Sequence, residues 1–219
     1  MKFSAKTVTM LKNFASINQS IVIKEGNVLS TISSNKTIMA KSIVPDTFER
    51  KFAIYNLGRF ISSISLMENP DLDFGDNSVV IKSNGHAITY HYADPSIILT
   101  PPDKEIKLPS VDVECKILNQ DLQGISKALG VLGLPELAIA GDGTKITLQA
   151  VDSKNPSADT YNIEIGDTDK IFRAIFKSEN LKMIEGDYQV KLSAKGISQF
   201  IGLESTYFIA IEATSTFNG

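Results

Sequence analysis

The chain of 219 residues is long enough for one large domain or for two of about 100 to 110 residues, each with its own hydrophobic core. Apolar residues make up 42% and charged residues 21%, with no run of eighteen apolar residues and no unbroken apolar signal core at the N-terminus. A cytoplasmic protein without membrane contact is therefore expected. The lone Cys115 excludes an intramolecular disulfide framework, and a formal net charge of −3 taken alone argues against nucleic acid.

In chain order, Val8, Leu11, Phe14 and Ala15 at helical spacing predict a helix over 5–17 capped by Ser4. Lys2, Lys6, Thr9, Asn13 and Ser16 point away from that face, with Lys12 at its border. Alternating segments at 20–24, 28–33 and 37–43, separated by Gly26-Asn27 and Asn35-Lys36, predict an antiparallel meander. A strand KFAIYN then runs into Asn56 as a helix cap, and Leu57, Phe60, Ile61 and Ile64 form the apolar stripe of LGRFISSISLM opposite Arg59, Ser62 and Ser63. Strands near 71–74, 79–82 and 87–92 follow. The proline-rich stretch ADPSIILTPPDKEIKLP then predicts a fixed connector, which gives a first domain at 1–93, a connector at 94–110 and a second domain at 111–219.

In the second domain Val111, Val113, Cys115 and Ile117 share one side of a strand. Asn119 is the expected cap of a helix whose buried stripe is Leu118, Leu122, Ile125, Leu129 and Leu132, with Gln120, Gln123 and Lys127 opposite and Gly133 as its stop. Gly124 and Gly130 lie inside this helix, each costing about 1 kcal/mol relative to Ala. A further meander leads to KIFRAIFK, to Ser178 as a cap, and to a short helix ENLKMIE with Leu181 and Ile184 buried and Gly186 as its stop. Strands at 187–193, 197–203 and 207–213 finish the chain. The cap positions Ser4, Asn56, Asn119 and Ser178 recur at a period of about 60 residues, the mark of a repeat architecture.

The expected helices and the residues leading into them hold Lys2, Lys6, Lys12, Arg59, Lys116, Lys127, Lys177 and Lys182 against only Asp121 and Glu179. The rest of the chain therefore carries all of the acidic excess. An acidic protein that is basic along one set of helices has a face for a polyanion, so the distribution of charge outweighs its sum. Helices packed side by side are about 9 to 10 Å apart, so four span too short an arc to enclose anything. Twelve would leave a hole of about 25 Å, which points to three chains in a closed ring.

Catalytic patterns fail one by one. His86 and His91, five apart on a strand, face opposite sides and cannot share a metal. Asp71, Asp73 and Asp76 sit in a loop with Gly75 at the fifth position and Lys82 at the twelfth, where a calcium loop needs a bidentate Glu. Gly141-Asp142-Gly143 is a hairpin turn without a phosphate-loop context, and Cys115 has no nearby His. No enzyme, cofactor or metal is expected. The residues leave two classes open: a DNA-encircling ring, or a ring-forming structural or scaffold protein with no tethering role. Only the first requires basic helices.

The chain resembles the sliding clamps of large tailed bacteriophages, polymerase processivity factors related to proliferating cell nuclear antigen. The resemblance is carried from end to end by MKFSAKTVTMLKNFASIN, FAIYNLGRFISSISL, ADPS, NQDLQ, GDYQVKLSAKG and IAIEATST. It implies an α+β DNA clamp fold with two similar domains, each of two strand-helix-meander repeats, the helices lining a ring and the sheets outside. It also implies a homotrimer around double-stranded DNA that serves the replicative polymerase, a clamp loader and late-transcription factors in the host cytoplasm. On this resemblance Lys6, Lys12, Arg59, Lys127 and Lys182 face DNA, with Lys116 and Lys177 beside the caps. His86, Ile88, Tyr90 and Tyr92 of one subunit would pair with Tyr161, Ile163 and Ile165 of the next. Ile97, Ile98 and Leu99 fit the wall of a pocket for partner peptides, and fit equally a strand that anchors the connector to the core.

Overall fold

A computed structural model describes residues 1–218, and the chain divides into two compact units, Met1–Asp103 and Lys104–Gly219. Among the described residues, three α-helices and sixteen strands make an α+β fold. In the first unit these are α1 (Ala5–Ile17), β1 (Ile21–Ile23), β2 (Gly26–Ile32), β3 (Ile38–Phe48), β4 (Phe52–Ile54), α2 (Leu57–Ser65), β5 (Asp71–Phe74), β6 (Ser78–Ser83) and β7 (His86–His91). β1 pairs antiparallel with β4, β2 with β3, and β5, β6 and β7 form a three-stranded meander with β7 at its edge. Helix α1 packs on β3 and against α2.

The second unit contains β8 (Val113–Ile117), α3 (Asn119–Leu132), β9 (Glu136–Asp142), β10 (Lys145–Val151), β11 (Tyr161–Asp167), β12 (Ile171–Lys177), β13 (Tyr188–Ser193), β14 (Ile197–Ile201), β15 (Ser205–Ala210) and β16 (Thr216–Asn218). One sheet runs β11-β10-β9-β12-β16, with β11 at an edge; β8, β13, β14 and β15 pair in that order in another. In β8 the period-two pattern buries Val113, Cys115 and Ile117, while Val111 lies outside the strand and is exposed. Burial pushes the Cys115 thiol up to about 12, so it packs as an inert apolar side chain.

Helix α1 spans the expected residues, with Ser4 accepting from the Thr7 amide. Its buried stripe is Thr7, Met10, Leu11, Phe14 and Ile17, rotated from the expected Val8 and Ala15. The rotation has a visible anchor: the Ser4 amide and hydroxyl both donate to the Asp46 carboxylate on β3, at 2.8 and 2.9 Å. In α2 the four expected residues Leu57, Phe60, Ile61 and Ile64 are the buried ones, and Asn56 accepts from the Arg59 amide.

Two capping expectations are corrected. Leu118, without a side-chain cap, precedes α3; Asn119 is its first residue, and its amide donates to Asp187 at 2.9 Å. That bond, reinforced by Lys116, holds the Asp187 carboxyl below its usual range. The Asn119 side chain in turn accepts from the Gly186 amide, so a distant segment caps the helix. The fourth helix is absent: Ser178–Asn180 makes one 3-10 turn and residues 181–184 are irregular. Two buried tyrosines take its backbone groups, since Tyr188 Oη donates to the Ile184 carbonyl at 2.6 Å and the Ile184 amide donates to Tyr207 Oη at 3.2 Å. A seven-residue helix with a costly nucleus does not compete with such fixed partners. Leu181 and Ile184 are half-buried there, and Gly133 closes α3 in the left-handed conformation at φ 63°.

Candidate nucleic-acid interface and open sheet edges

The exposed sides of the helices are mostly polar and basic. Helix α1 presents Ala5, Thr9, Lys12 and Ser16; α2 presents Gly58, Arg59, Ser62 and Ser65; α3 presents Gln120, Gln123, Ser126, Lys127 and Gly130, and its last turn exposes Val131 and Leu132, the latter expected in the buried stripe. Helices α1 and α2 contain no carboxylate, and the one carboxylate of α3, Asp121, is half-buried in its first turn, where the helix dipole favours it. Four hydroxyls on these helices turn back onto their own backbone. Thr9 donates to the Ala5 carbonyl at 2.9 Å, Ser16 to Asn13 at 2.6 Å, Ser63 to Arg59 at 2.9 Å and Ser65 to Ile61 at 3.0 Å.

Of the basic residues expected to act together, Lys12, Arg59 and Lys127 are exposed on helices, and Lys6 is half-buried on α1. The others fall elsewhere. Lys116 is on β8 and pairs with Asp187 at 3.4 Å; Lys177 is the exposed last residue of β12; Lys182 is half-buried in the irregular segment that replaces the fourth helix.

Both expected joint strands are sheet edges. Val79 and Ile81 of β6, fully buried, lie opposite Tyr90 and Ile88, so these two share the inner face of β7. Tyr90 Oη donates to the Asn56 carbonyl at 3.0 Å, and its ring meets Phe60 edge-on at 5.1 Å; burial raises its phenol pKa. His86 and His91 are exposed. Tyr92 lies just past the strand, stacked at 5.2 Å on Phe52, so its side chain serves the interior of its own unit. On β11, Tyr161 and Ile163 lie opposite buried Ala150 and Leu148 and share the inner face. Ile163 and Ile165 are half-buried, and Lys145 holds Asp167 at 2.9 Å and Glu164 at 3.9 Å.

The three connector residues do not act as one wall. Pro95–Ile97 is a 3-10 turn capped by Asp94, Ile98 is buried against Val22 and Ala53, and Ile97 and Leu99 are exposed on either side. Ile98 is thus an anchor, and only its neighbours are open to a ligand. Sequence reading missed an apolar strip on the outer face of the β2–β3 hairpin, where Val28 lies opposite Ile43 and Ile32 opposite Met39; Ile43 is 58% exposed. Its signal was apolar residues on both faces of these strands, where alternation calls for one. The acidic loop is spoken for: Asp71 pairs with Lys2 at 4.0 Å, Asp73 with Lys82 at 3.3 Å and Asp76 with Arg50 at 2.7 Å.

Solved structures show the same architecture. The chain covers 95% of itself and 96% of proliferating cell nuclear antigen (PCNA) from A. fulgidus, in a structure with the C-terminal region of FEN-1 bound, at TM-score 0.70 and 12% identity. PCNA from Thermococcus kodakaraensis matches over 96% of this chain and 98% of that one, at TM-score 0.68 and 14% identity. The fold is that of the DNA clamps. Residues 2–99 match the family described as DNA polymerase processivity factor, and residues 114–213 the family described as gp45 sliding clamp, C terminal. The sliding clamp of Vibrio phage KVP40 is 36% identical over 97% of this chain and 100% of its own length. That of Enterobacteria phage T4 is 33% identical over 99% of each. The chain belongs to the phage sliding clamp family of DNA polymerase processivity factors. No helix among the described residues is long and apolar enough to cross a membrane.

Proposed function

We propose that three copies of this chain close head-to-tail into a ring around double-stranded DNA and hold the replicative polymerase on it. A clamp loader of the infected host cytoplasm opens the ring, and late-transcription factors use it as a mobile platform. The observation that carries this reading is the exposed helical surface, which offers cations and no exposed carboxylate in a chain whose net charge is −3. Cations on flexible stems neutralise phosphates without reading base edges, which suits a ring that must hold DNA and still move along it. Lys12, Arg59 and Lys127 lead this face, and Lys6 supports it; Lys116, Lys177 and Lys182 reach DNA from outside the helices.

The joint pairs β7, through His86, Ile88 and Tyr90, with β11 of the next subunit, through Tyr161, Ile163 and Ile165. Both edges carry aromatic and aliphatic residues on their inner faces, so pairing them would continue one apolar layer and cover two open edges. Partner peptides dock on Ile97, Leu99 and the strip formed by Val28, Ile32, Met39 and Ile43. Light scattering over a concentration series tests the ring: a species of three times 23.9 kDa is expected, and a monomer at every concentration would refute it.

A further inference from the structure

Helix α3 carries two interior glycines with different surroundings. A Cβ built on Gly130 meets nothing within 4 Å, so packing does not demand glycine there. A Cβ on Gly124 would stand 3.4 Å from Ile163 Cδ1 and 3.9 Å from Tyr161 Oη, in van der Waals contact with both inner-face residues of β11. A methyl group fits; a longer side chain directed toward β11 meets the tips of Ile163 and Tyr161. β11 is hydrogen-bonded on one side only, to β10, and its register with that strand shifts between Ile146 and Thr147. That shift lies opposite Glu164–Gly166, so Tyr161–Ile163 keep regular register with β10 on one side while their side chains seat on α3.

We propose that Gly124 is the positioning residue for the subunit joint: its missing side chain lets Ile163 and Tyr161 seat on α3 and so places the β11 edge where a neighbouring strand can bond to it. The inference rests on the ring reading. Strand pairing needs backbones about 4.8 Å apart with donors and acceptors aligned. A side chain that levers Ile163 outward by an ångström spoils that alignment while leaving the interior of the unit packed.

The test compares trimer dissociation of Gly124→Ala, Gly124→Leu and Gly130→Leu with that of the natural chain, beside circular dichroism and thermal melting of each. Gly124→Ala and Gly130→Leu should assemble as the natural chain does. Gly124→Leu should need at least tenfold higher concentration to assemble, with its secondary structure retained, and Gly124→Leu combined with Ile163→Ala should recover part of that loss by freeing volume across the contact. If Gly124→Leu loses its secondary structure, Gly124→Ser, which adds one atom beyond the methyl, decides by the same measurement. Natural assembly of folded Gly124→Leu, or of Gly124→Ser where it stands in for it, or equal weakening by Gly130→Leu, would overturn the proposal. A natural chain that is monomeric at every concentration would refute the ring reading instead.

Discussion

Replacing Lys127 by Ala removes one exposed cation per chain from the most exposed side of α3, and three from the proposed trimer. Each phosphate neutralised on duplex DNA contributes about 0.9 to the slope of log affinity against log salt. If all three copies engage at once, the slope becomes shallower by about 2.7; if the duplex leans on one side of the ring, by about 0.9. At the upper value, the variant would lose about 40-fold less affinity than the natural ring between about 50 and 200 mM salt. Fluorescence anisotropy of a short labelled duplex, read across that salt range, measures the slope directly. Lys41→Ala is the matched control, because Lys41 is equally exposed but lies on the outer face of β3 beside Ile43. It changes the net charge by the same amount and should leave the slope alone. Equal slopes for Lys127→Ala and the natural chain, or equal shifts for the two variants, would show that the helices do not face DNA.

Three further outcomes follow from the geometry. Gly141→Ala should destabilise the second unit by about 1 to 3 kcal/mol in urea unfolding, because the new Cβ would lie 2.4 Å from Phe172 Cε1 and 2.7 Å from the Lys170 carbonyl oxygen, which is backbone and cannot swing away. Asn56→Ala should cost about 1 kcal/mol through loss of the α2 cap, visible as a lower thermal midpoint; an unchanged midpoint would mean that the Tyr90 bond to the Asn56 carbonyl suffices to hold the helix start. Asp142 accepts from the Lys145 and Thr144 amides and the Thr144 hydroxyl, which bring its carboxyl from 3.8 to about 2. A folded value below the unfolded one gives stability that is present above about pH 4 and lost as pH falls toward 2. Asp142→Asn should therefore lose less stability than the natural chain between pH 5 and pH 2.5, and equal acid loss would count against this turn.

Much of the fold was legible because local signals agreed. The stripe of α2 is defined by four residues with no competing apolar neighbour inside the helix, and Asp71–Phe74 forms the strand expected of it. Helix α1 was placed correctly along the chain but rotated, because Thr7 is buried beneath a cap tied to Asp46, 42 residues away. The fourth helix failed for the same kind of reason, since the hydroxyls that claim its backbone belong to Tyr188 and Tyr207 on other strands. At the candidate site, the cations on α1, α2 and α3 could be read from spacing alone. The loss of Lys182 from the helical set could not, since it follows from that missing helix. The anchoring role of Ile98 likewise depends on Val22 and Ala53, which periodicity in the connector does not reveal.

The inward-turned hydroxyls of Thr9, Ser16, Ser63 and Ser65 bear on transport. Phosphate oxygens only accept hydrogen bonds, and a hydroxyl whose single proton is already given to its own helix has nothing left to offer them. In the proposed ring such a surface would be wetted by water without gripping the DNA backbone through these hydroxyls, so each step along DNA would break few directional bonds. On that proposal the lining would be a lubricated bearing: its cations would set how long the ring stays on, and its self-satisfied hydroxyls would keep friction low while it travels.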